Sequence, residues 1–265
     1  MARALTGETA RSVTILHSAP RPLAGAAPPP PVDEPRIGAL SRALGLDLAD
    51  FRSEHVQARV AGALAREGLG DWDALFRQAH RDPATRTRLR RSIAISFTAR
   101  GRDPEQLALL ERRLLPPLLA EGRALRVWSA GCSTGAELCD LAEALARREA
   151  RPARLLGSDL LEENVAVASA GHADGRPCAC ALAGARYEHR DVVRGGAPGG
   201  RWDLVLCRNV AIYLGARARA RLHAAVAGAL APGGILVLGR SERLADPGTL
   251  GLERAGPHAY RRRAA

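Results

Sequence analysis

The chain has 265 residues, enough for one large domain or for a small domain beside a medium one, and its hydrophobic content of 46% is enough for a core. Its formal net charge is +11, and every Lys/Arg position is Arg, since the sequence contains no Lys. This excess of Arg either reflects a GC-rich genome or favours acidic partners, such as acidic protein surfaces or nucleic acid. No apolar run reaches the roughly 18 residues of a membrane span, and no secretory leader is recognisable, so we expect a cytoplasmic protein without membrane insertion.

Residues 1–38 are a Pro- and Ala-rich arm that contains the run Pro28–Pro31 and is expected to be disordered or extended. A helical pattern begins at about Ile37, so residues 39–120 are predicted to form a small all-helical domain and a bridge. Gly68 is expected to end one helix and Asp71 to cap the next. Two more helices are expected to open at Asp82-Pro83 and Asp103-Pro104, where Pro occupies the first turn.

Residues 121–265 alternate strands with helices, which predicts a mostly parallel α/β sheet. The predicted strands are 125–130, 154–158, 203–208 and 234–239, and the predicted helices are 136–148, 161–170 and 216–230. A short strand is expected at Tyr187–Val192. Pro232-Gly233-Gly234 is expected to be the turn that precedes the 234–239 strand, and the tail 252–262 is expected to add antiparallel strands.

The five cysteines are Cys132, Cys139, Cys178, Cys180 and Cys207. None has Cys-x-x-Cys spacing, and an odd number without a leader predicts reduced thiols. Cys178 and Cys180 lack accompanying ligands, so no metal site is predicted. The seven His residues show no ligand or triad spacing and are expected at the surface or as local caps.

The most informative segment is Trp128–Glu137, Trp-Ser-Ala-Gly-Cys-Ser-Thr-Gly-Ala-Glu, between a predicted strand and helix. Its small residues let backbone N–H groups and a helix N-terminus approach a ligand closely. Asp159 ends the next strand, where an acid can accept hydrogen bonds from ribose hydroxyls. The layout therefore predicts a site for a nucleoside cofactor.

Three classes of nucleotide site compete for this segment. The turn fits the Gly-x-Gly-x-x-Gly of dinucleotide oxidoreductases poorly, and a chain without Lys cannot hold a phosphate-binding Gly-Lys-Ser/Thr loop. A class I S-adenosylmethionine methyltransferase with a Rossmann-like sheet fits best, since Asp159, Asp191 and Pro232-Gly233-Gly234 follow the loop in the required order.

Four segments resemble the CheR family of chemotaxis receptor (protein-glutamate) methyltransferases. They are the loop Trp128–Glu137, Cys207-Arg-Asn-Val-Ala-Ile-Tyr-Leu214, the late strand Pro232–Glu242, and Ser96-Phe-Thr-Ala-Arg-Gly-Arg-Asp-Pro-Glu-Gln106. The Cys-Arg-Asn-Val-x-Ile-Tyr segment is specific, whereas the glycine turn alone is weak. The resemblance covers residues 45–262.

The resemblance implies a pocket for S-adenosylmethionine. Glu137 would bind the methionyl ammonium, Asp159 the ribose, and Asp191 and Val192 would border the adenine. The other implied cofactor residues are Gly131 in the loop, Cys207 and Arg208 through their backbones, and Ser96, Thr98 and Arg102 in the bridge. Arg102 and Tyr213 match the pair that positions the reacting glutamate and are the implied catalytic residues.

The chain departs from the family pattern at three places. Arg100 and Gly101 stand where the family has two Phe, which removes an apolar wall near the methyl group. Ala136 replaces the first acid of a Gly-Glu-Glu sequence. The stretch 171–186 is too short for the family's β-subdomain, so tethered docking to a receptor is not expected.

These observations predict methylation of glutamates on chemoreceptor-like helices. The alternatives are methylation of another substrate and a non-catalytic module that binds S-adenosylmethionine or S-adenosylhomocysteine. The basic stretch from Arg81 to Arg102, with Arg86 and Arg90 on one helix face, is either a docking face for an acidic partner or an ordinary solvated face. Nucleic acid is a disfavoured partner.

Overall fold

The computed structural model describes residues 33–95, 98–120, 122, 124–173, 176–178 and 183–264. Its N-terminal helices are α1 (Glu34–Leu44), α2 (Ser53–Glu67), α3 (Trp72–Arg81) and α4 (Pro83–Ile93). Then come α5 (Pro104–Leu109), a π-helical turn (Leu110–Leu114) and α6 (Leu115–Leu119). No helix among these described ranges is long and apolar enough to cross a membrane.

The helix boundaries follow local capping. Asp71 accepts from the N–H of Ala74 and Asp82 from those of Ala84 and Thr85, as predicted. The first helix begins at Glu34 rather than at Ile37, because Asp33 caps it and Pro35 lies in its first turn. Part of the predicted arm is therefore helical.

The sheet is built from seven strands: β1 Arg126–Ala130, β2 Arg154–Asp159, β5 Arg186–His189, β6 Trp202–Cys207, β7 Leu230–Leu238, β8 Leu252–Gly256 and β9 Ala259–Arg262. Their order is β5-β2-β1-β6-β7-β9-β8, and all neighbours pair parallel except β7 with β9 and β9 with β8. The connecting helices are α7 (Ala136–Ala146), α8 (Glu162–Ser169), α9 (Val192–Gly195) and α10 (Ala216–Gly228). The predicted α/β sheet and its antiparallel tail are confirmed.

Two strand predictions are wrong in detail. The strand predicted at Tyr187–Val192 ends at His189, because Asp191 accepts from two backbone N–H groups and caps α9. β7 begins at Leu230 and runs through the Pro232-Gly233-Gly234 turn instead of following it, with a shifted register opposite Trp202.

The N-terminal helices and one face of the sheet share a single apolar cluster. Its members include Leu40, Val60 and Ile93 from the helices and Trp128, Val205 and Leu236 from the strands. The opposite face of the sheet packs against α7 and the π-helical turn. The helical segment is thus held against the sheet by a common core, which fixes its position above the strand ends.

The cysteine prediction is wrong for one pair. Cys139 of α7 and Cys178 form a disulfide, with Cα atoms 5.5 Å apart, and both lie in the apolar cluster on the face of the sheet that packs against α7. Cys132 and Cys207 are free and buried, and Cys180 lies outside the described residues. In the described part of 171–186, two-residue strands β3 (His172–Ala173) and β4 (Arg176–Pro177) pair.

Tyr187 of β5 packs against two glycines near the loop. A Cβ on Gly157 would lie 2.5 Å from Tyr187 Cδ1, and one on Gly135 would lie 2.9 Å from the Tyr187 hydroxyl. The ring therefore occupies the space that a side chain on either residue would need.

We expect Gly157→Ala to lower the free energy of unfolding by about 1–3 kcal/mol, because the half-buried Tyr187 ring and the backbone cannot both keep their places. Thermal unfolding by circular dichroism measures the loss. The control is Gly228→Ala in α10, where nothing lies within 4 Å of the new Cβ. Equal melting temperatures for the two variants would contradict this account.

Candidate functional site

A cleft opens at the carboxyl ends of β1, β2 and β6, where the strand order reverses on either side of β1. Ligands bind α/β sheets at such a point. The cleft brings together seven of the predicted site residues: Arg102, Gly131, Asp159, Asp191, Val192, Arg208 and Tyr213. An adjoining recess holds Thr98 and Glu137.

One predicted site residue, Cys207, does not line the cleft or its recess. Cys207 ends β6 with no exposed side-chain surface, so it supports the cleft from below. Ser96 lies outside the described residues. The roles that the family resemblance gives to all these residues stay predictions.

The loop after β1 is held tightly against its surroundings. Gly131 has φ +74°, and its N–H donates to Ser158 O over 2.8 Å. A Cβ there would lie 2.5 Å from Val210 Cγ2. Only glycine combines this backbone conformation with this close approach, so the loop has one shape in which its backbone faces the cleft.

Asp159 joins that loop to the end of β2. Its carboxylate accepts from the N–H of Ser133 (2.8 Å), the N–H of Leu161 (2.9 Å) and the Asn164 amide (2.9 Å). Burial raises the pKa of this carboxyl, and the three hydrogen bonds oppose that rise. A carboxylate has about four acceptor positions, which leaves one for a ligand hydroxyl.

Arg208 is the centre of a buried ionic network. Its Nη1 donates to Glu137 Oε1 over 2.7 Å and its Nη2 to Asp103 Oδ2 over 3.0 Å. Its Nε donates to Gln106 Oε1 over 2.6 Å, and Nη2 also reaches Arg102 O at 3.2 Å. The family resemblance implies only backbone contacts for Arg208, yet its side chain joins the bridge to α7.

Arg102 and Tyr213 face the cleft from different segments. Burial raises the pKa of the half-buried Tyr213 phenol, and the positive charge of Arg102 partly offsets that rise. The two groups are therefore close enough to influence each other electrostatically. Tyr213 is fixed by its backbone, because the Arg52 N–H donates to Tyr213 O over 3.0 Å.

His55 of α2 lies beside Tyr213, which corrects the expectation that every histidine is at the surface or is a local cap. Its ring centroid is 5.1 Å from that of Tyr213 and 6.1 Å from that of Phe51. Nε2 lies 2.7 Å from Ile93 O and so carries the hydrogen. Burial lowers the pKa of His55, which favours the neutral ring. The only sequence signal was a His among helical core positions.

Glu242 ends the late-strand segment Pro232–Glu242, and the family resemblance implies no role for it. Only 4% exposed, it accepts from the N–H groups of Asn209, Ala211 and Gly239, each over 2.7 Å. Asn209 has φ +60°, a strained conformation for a residue with a side chain. Glu242 thus holds the loop that carries Tyr213.

Some arginines of the predicted basic face bind other parts of the same chain. Arg90 donates to Leu44 O over 3.0 Å and lies 3.7 Å from Glu163 of α8. Arg88 pairs with Glu67 at 2.9 Å. Arg86 and Arg90 therefore do not form one freely solvated pair, which weakens the docking interpretation of α4.

Residues 96–187 and 178–253 match the sequence model of the family described as CheR methyltransferase, SAM binding domain. A chemotaxis protein methyltransferase of Listeria monocytogenes is 27% identical over 237 residues, which cover 80% of this chain and 90% of that protein. An uncharacterized 104.1 kDa protein of Rhodobacter capsulatus is 29% identical over 238 residues, and there the chain spans only 25% of the relative's length. Among solved structures, the amino pentose methyltransferase CalS10 of Micromonospora echinaspora, with SAM bound, is 26% identical over 54% of either chain, with a TM-score of 0.38.

We expect Glu242→Gln to lower the free energy of unfolding by about 1–3 kcal/mol, since an amide NH₂ would face a backbone donor inside the protein. Urea unfolding measures the change. Glu253→Gln, at an exposed position of β8, is the control and should leave the midpoint unchanged. If the urea midpoint of Glu242→Gln equals that of the control, the three hydrogen bonds to Glu242 contribute nothing to the stability of the fold.

Proposed function

The chain belongs to the CheR methyltransferase family, and from that premise we propose that it transfers a methyl group from S-adenosylmethionine to glutamate side chains on chemoreceptor-like helices. The family supports an S-adenosylmethionine-dependent methyltransferase. The substrate, the residue roles and a cytoplasmic site of action are the proposal. The observation that carries it is one cleft that joins the Gly131 loop and Asp159 to Arg102 and Tyr213.

The residues present fit the cofactor. The loop offers a cradle in which a Cβ on Gly131 would collide with Val210, so its backbone can approach a ligand. Asp159 keeps acceptor capacity for a ribose hydroxyl, and Glu137 supplies a negative charge for an ammonium group. Arg208 supplies a positive charge next to Glu137, and this pairing of charges suits the zwitterionic end of an amino acid.

The reaction needs little acid–base help. When bound, S-adenosylmethionine supplies a methyl group activated by a sulfonium cation. A glutamate carboxylate is already the nucleophile at neutral pH, so no proton has to move when its oxygen forms the new bond to carbon. Positioning and partial desolvation of that carboxylate are the tasks left to the protein.

Arg102 and Tyr213 suit those tasks. A guanidinium can hold a carboxylate through two parallel N–H···O bonds. Tyr213 can donate its O–H to the substrate from the facing wall, and burial favours its neutral form by raising its pKa. Apolar lining residues, among them Phe51, Val192 and Leu214, exclude water around them.

The proposed partner is an acidic helical surface. The net charge of +11 favours such a partner, and the short β3–β4 pair offers little for a tethered receptor tail. The two rival functions, another methyl acceptor and a non-catalytic cofactor-binding module, are outcomes of the experiments below.

We expect calorimetry to show that wild type binds S-adenosylmethionine and S-adenosylhomocysteine and that Asp159→Ala weakens both by more than about 10-fold, since a buried charged partner is lost. Arg217→Ala, at an exposed position of α10, is the control. A wild-type chain that binds neither compound would overturn the cofactor assignment.

We expect Arg102→Ala and Tyr213→Phe to lower kcat for methylation of chemoreceptor-bearing membranes by about 10²-fold and 10-fold, because orientation supplies much of the rate. Affinity for S-adenosylhomocysteine should stay within about 3-fold of wild type in Tyr213→Phe. Tight cofactor binding without transfer to receptors would favour the rival functions, and transfer to another acceptor would decide between them.

A further inference from the structure

The bridge from Thr98 to Asp103 is anchored on α7 by charged groups. Arg100 Nε lies 3.4 Å from Asp140 Oδ1, and its Nη2 contacts Glu143 Oε1. The Gly101 N–H donates to Asp140 Oδ2 over 2.7 Å. Asp140 therefore holds both a side chain and the backbone of the bridge, immediately before Arg102.

The same stretch is held from its other side by Arg208, which contacts Arg102 O at 3.2 Å and Asp103 at 3.0 Å. Backbone groups on both sides of the Arg102 side chain are thus fixed. Gly101 and Asp103 both have positive φ, +68° and +54°. Residues with a side chain, such as Asp103, adopt this conformation rarely, and it persists where surrounding contacts enforce it.

The anchor lies close to the cofactor residues, because Asp140 lines the recess that holds Thr98 and Glu137, beside the cleft. Asp140 follows Glu137 by one helical turn on α7, so both face the bridge. The Asp140 side chain is 13% exposed and that of Arg100 24%, so water screens this pair less than a surface pair.

We infer that Asp140, supported by Glu143, is a positioning residue, which sets the place of Arg102 by fixing Arg100 and Gly101. The inference rests on the proposed function, because Arg102 is there the anchor of the substrate carboxylate. Asp140 itself makes no contact with the reacting groups in this account.

Asp140→Ala and Asp140→Asn test the inference. The Asn variant keeps the volume and one acceptor for the Gly101 N–H, so it isolates the charge and remains informative where the Ala variant folds poorly. Arg100→Met removes the partner cation. Arg88→Met, which breaks the remote pair with Glu67, is the matched control.

The first measurement is hydrogen exchange of the full chain without ligand, read in peptides that cover residues 98–107. We expect faster exchange there in Asp140→Ala, with other peptides unchanged, because the Gly101 N–H loses its acceptor. Wild-type exchange in this peptide, or faster exchange everywhere, would overturn the inference. This measurement is independent of catalysis.

The second measurement separates kcat from cofactor affinity, with chemoreceptor-bearing membranes as substrate. We expect Asp140→Ala to lower kcat by about 10- to 100-fold through misplacement of Arg102, while the Kd for S-adenosylhomocysteine stays within about 3-fold. Asp140→Asn and Arg100→Met should show smaller losses, and adding Arg100→Met to Asp140→Ala should lower kcat little further.

The possible failures can be told apart. An unchanged kcat in Asp140→Ala, or a Kd that weakens as much as kcat falls, would overturn the positioning role. A wild-type chain without cofactor binding or transfer would overturn the proposed function instead, and the exchange experiment would still report whether Asp140 holds the bridge.

Discussion

The geometry of the cleft depends on the ion pairs that the Arg208 guanidinium makes with Glu137 and Asp103. Arg208 lies just beyond the end of β6 with 12% of its side chain exposed, and its guanidinium meets carboxylates of α7 and of the bridge. Removing one partner of such a largely buried pair is destabilising, since a charge is left without compensation. The separation between Glu137 and Arg102 is therefore fixed by one planar group, and the cofactor side of the cleft cannot shift without the substrate side.

The walls of the cleft come from parts of the chain that are distant in sequence. The helical segment contributes His55 and the backbone of Arg52, which hold Tyr213. Glu242, from the loop after β7, holds the backbone between β6 and Tyr213. A reaction that moves no proton gains chiefly from orientation, and this structure supplies orientation through backbone hydrogen bonds to buried carboxylates.

The features that could be predicted from the sequence are those whose contacts join residues close together in the chain. Asp71 and Asp82 cap helices through N–H groups two or three residues away, and the glycine loop lies between one strand and one helix, so short patterns contain the needed information. Arg208 and Asp140 differ, because their partners lie about 40 to 100 residues away. An Arg in a chain with 39 basic residues gives no sign of such a partner. The position of His55 likewise depends on how α2 packs beside Tyr213, which no pattern within α2 records.

Arginine is the only basic side chain besides histidine in this chain, and this sets how the site behaves in alkaline solution. A guanidinium keeps its proton at any pH at which the protein folds, so the positive charge of Arg208 is constant from neutral pH upward. Phenols and thiols are the side chains left to titrate in that range, and burial raises the pKa values of Tyr213 and Cys207. An alkaline limb in a rate profile would therefore report on a phenol or a thiol, such as Tyr213 or Cys207, and not on a guanidinium.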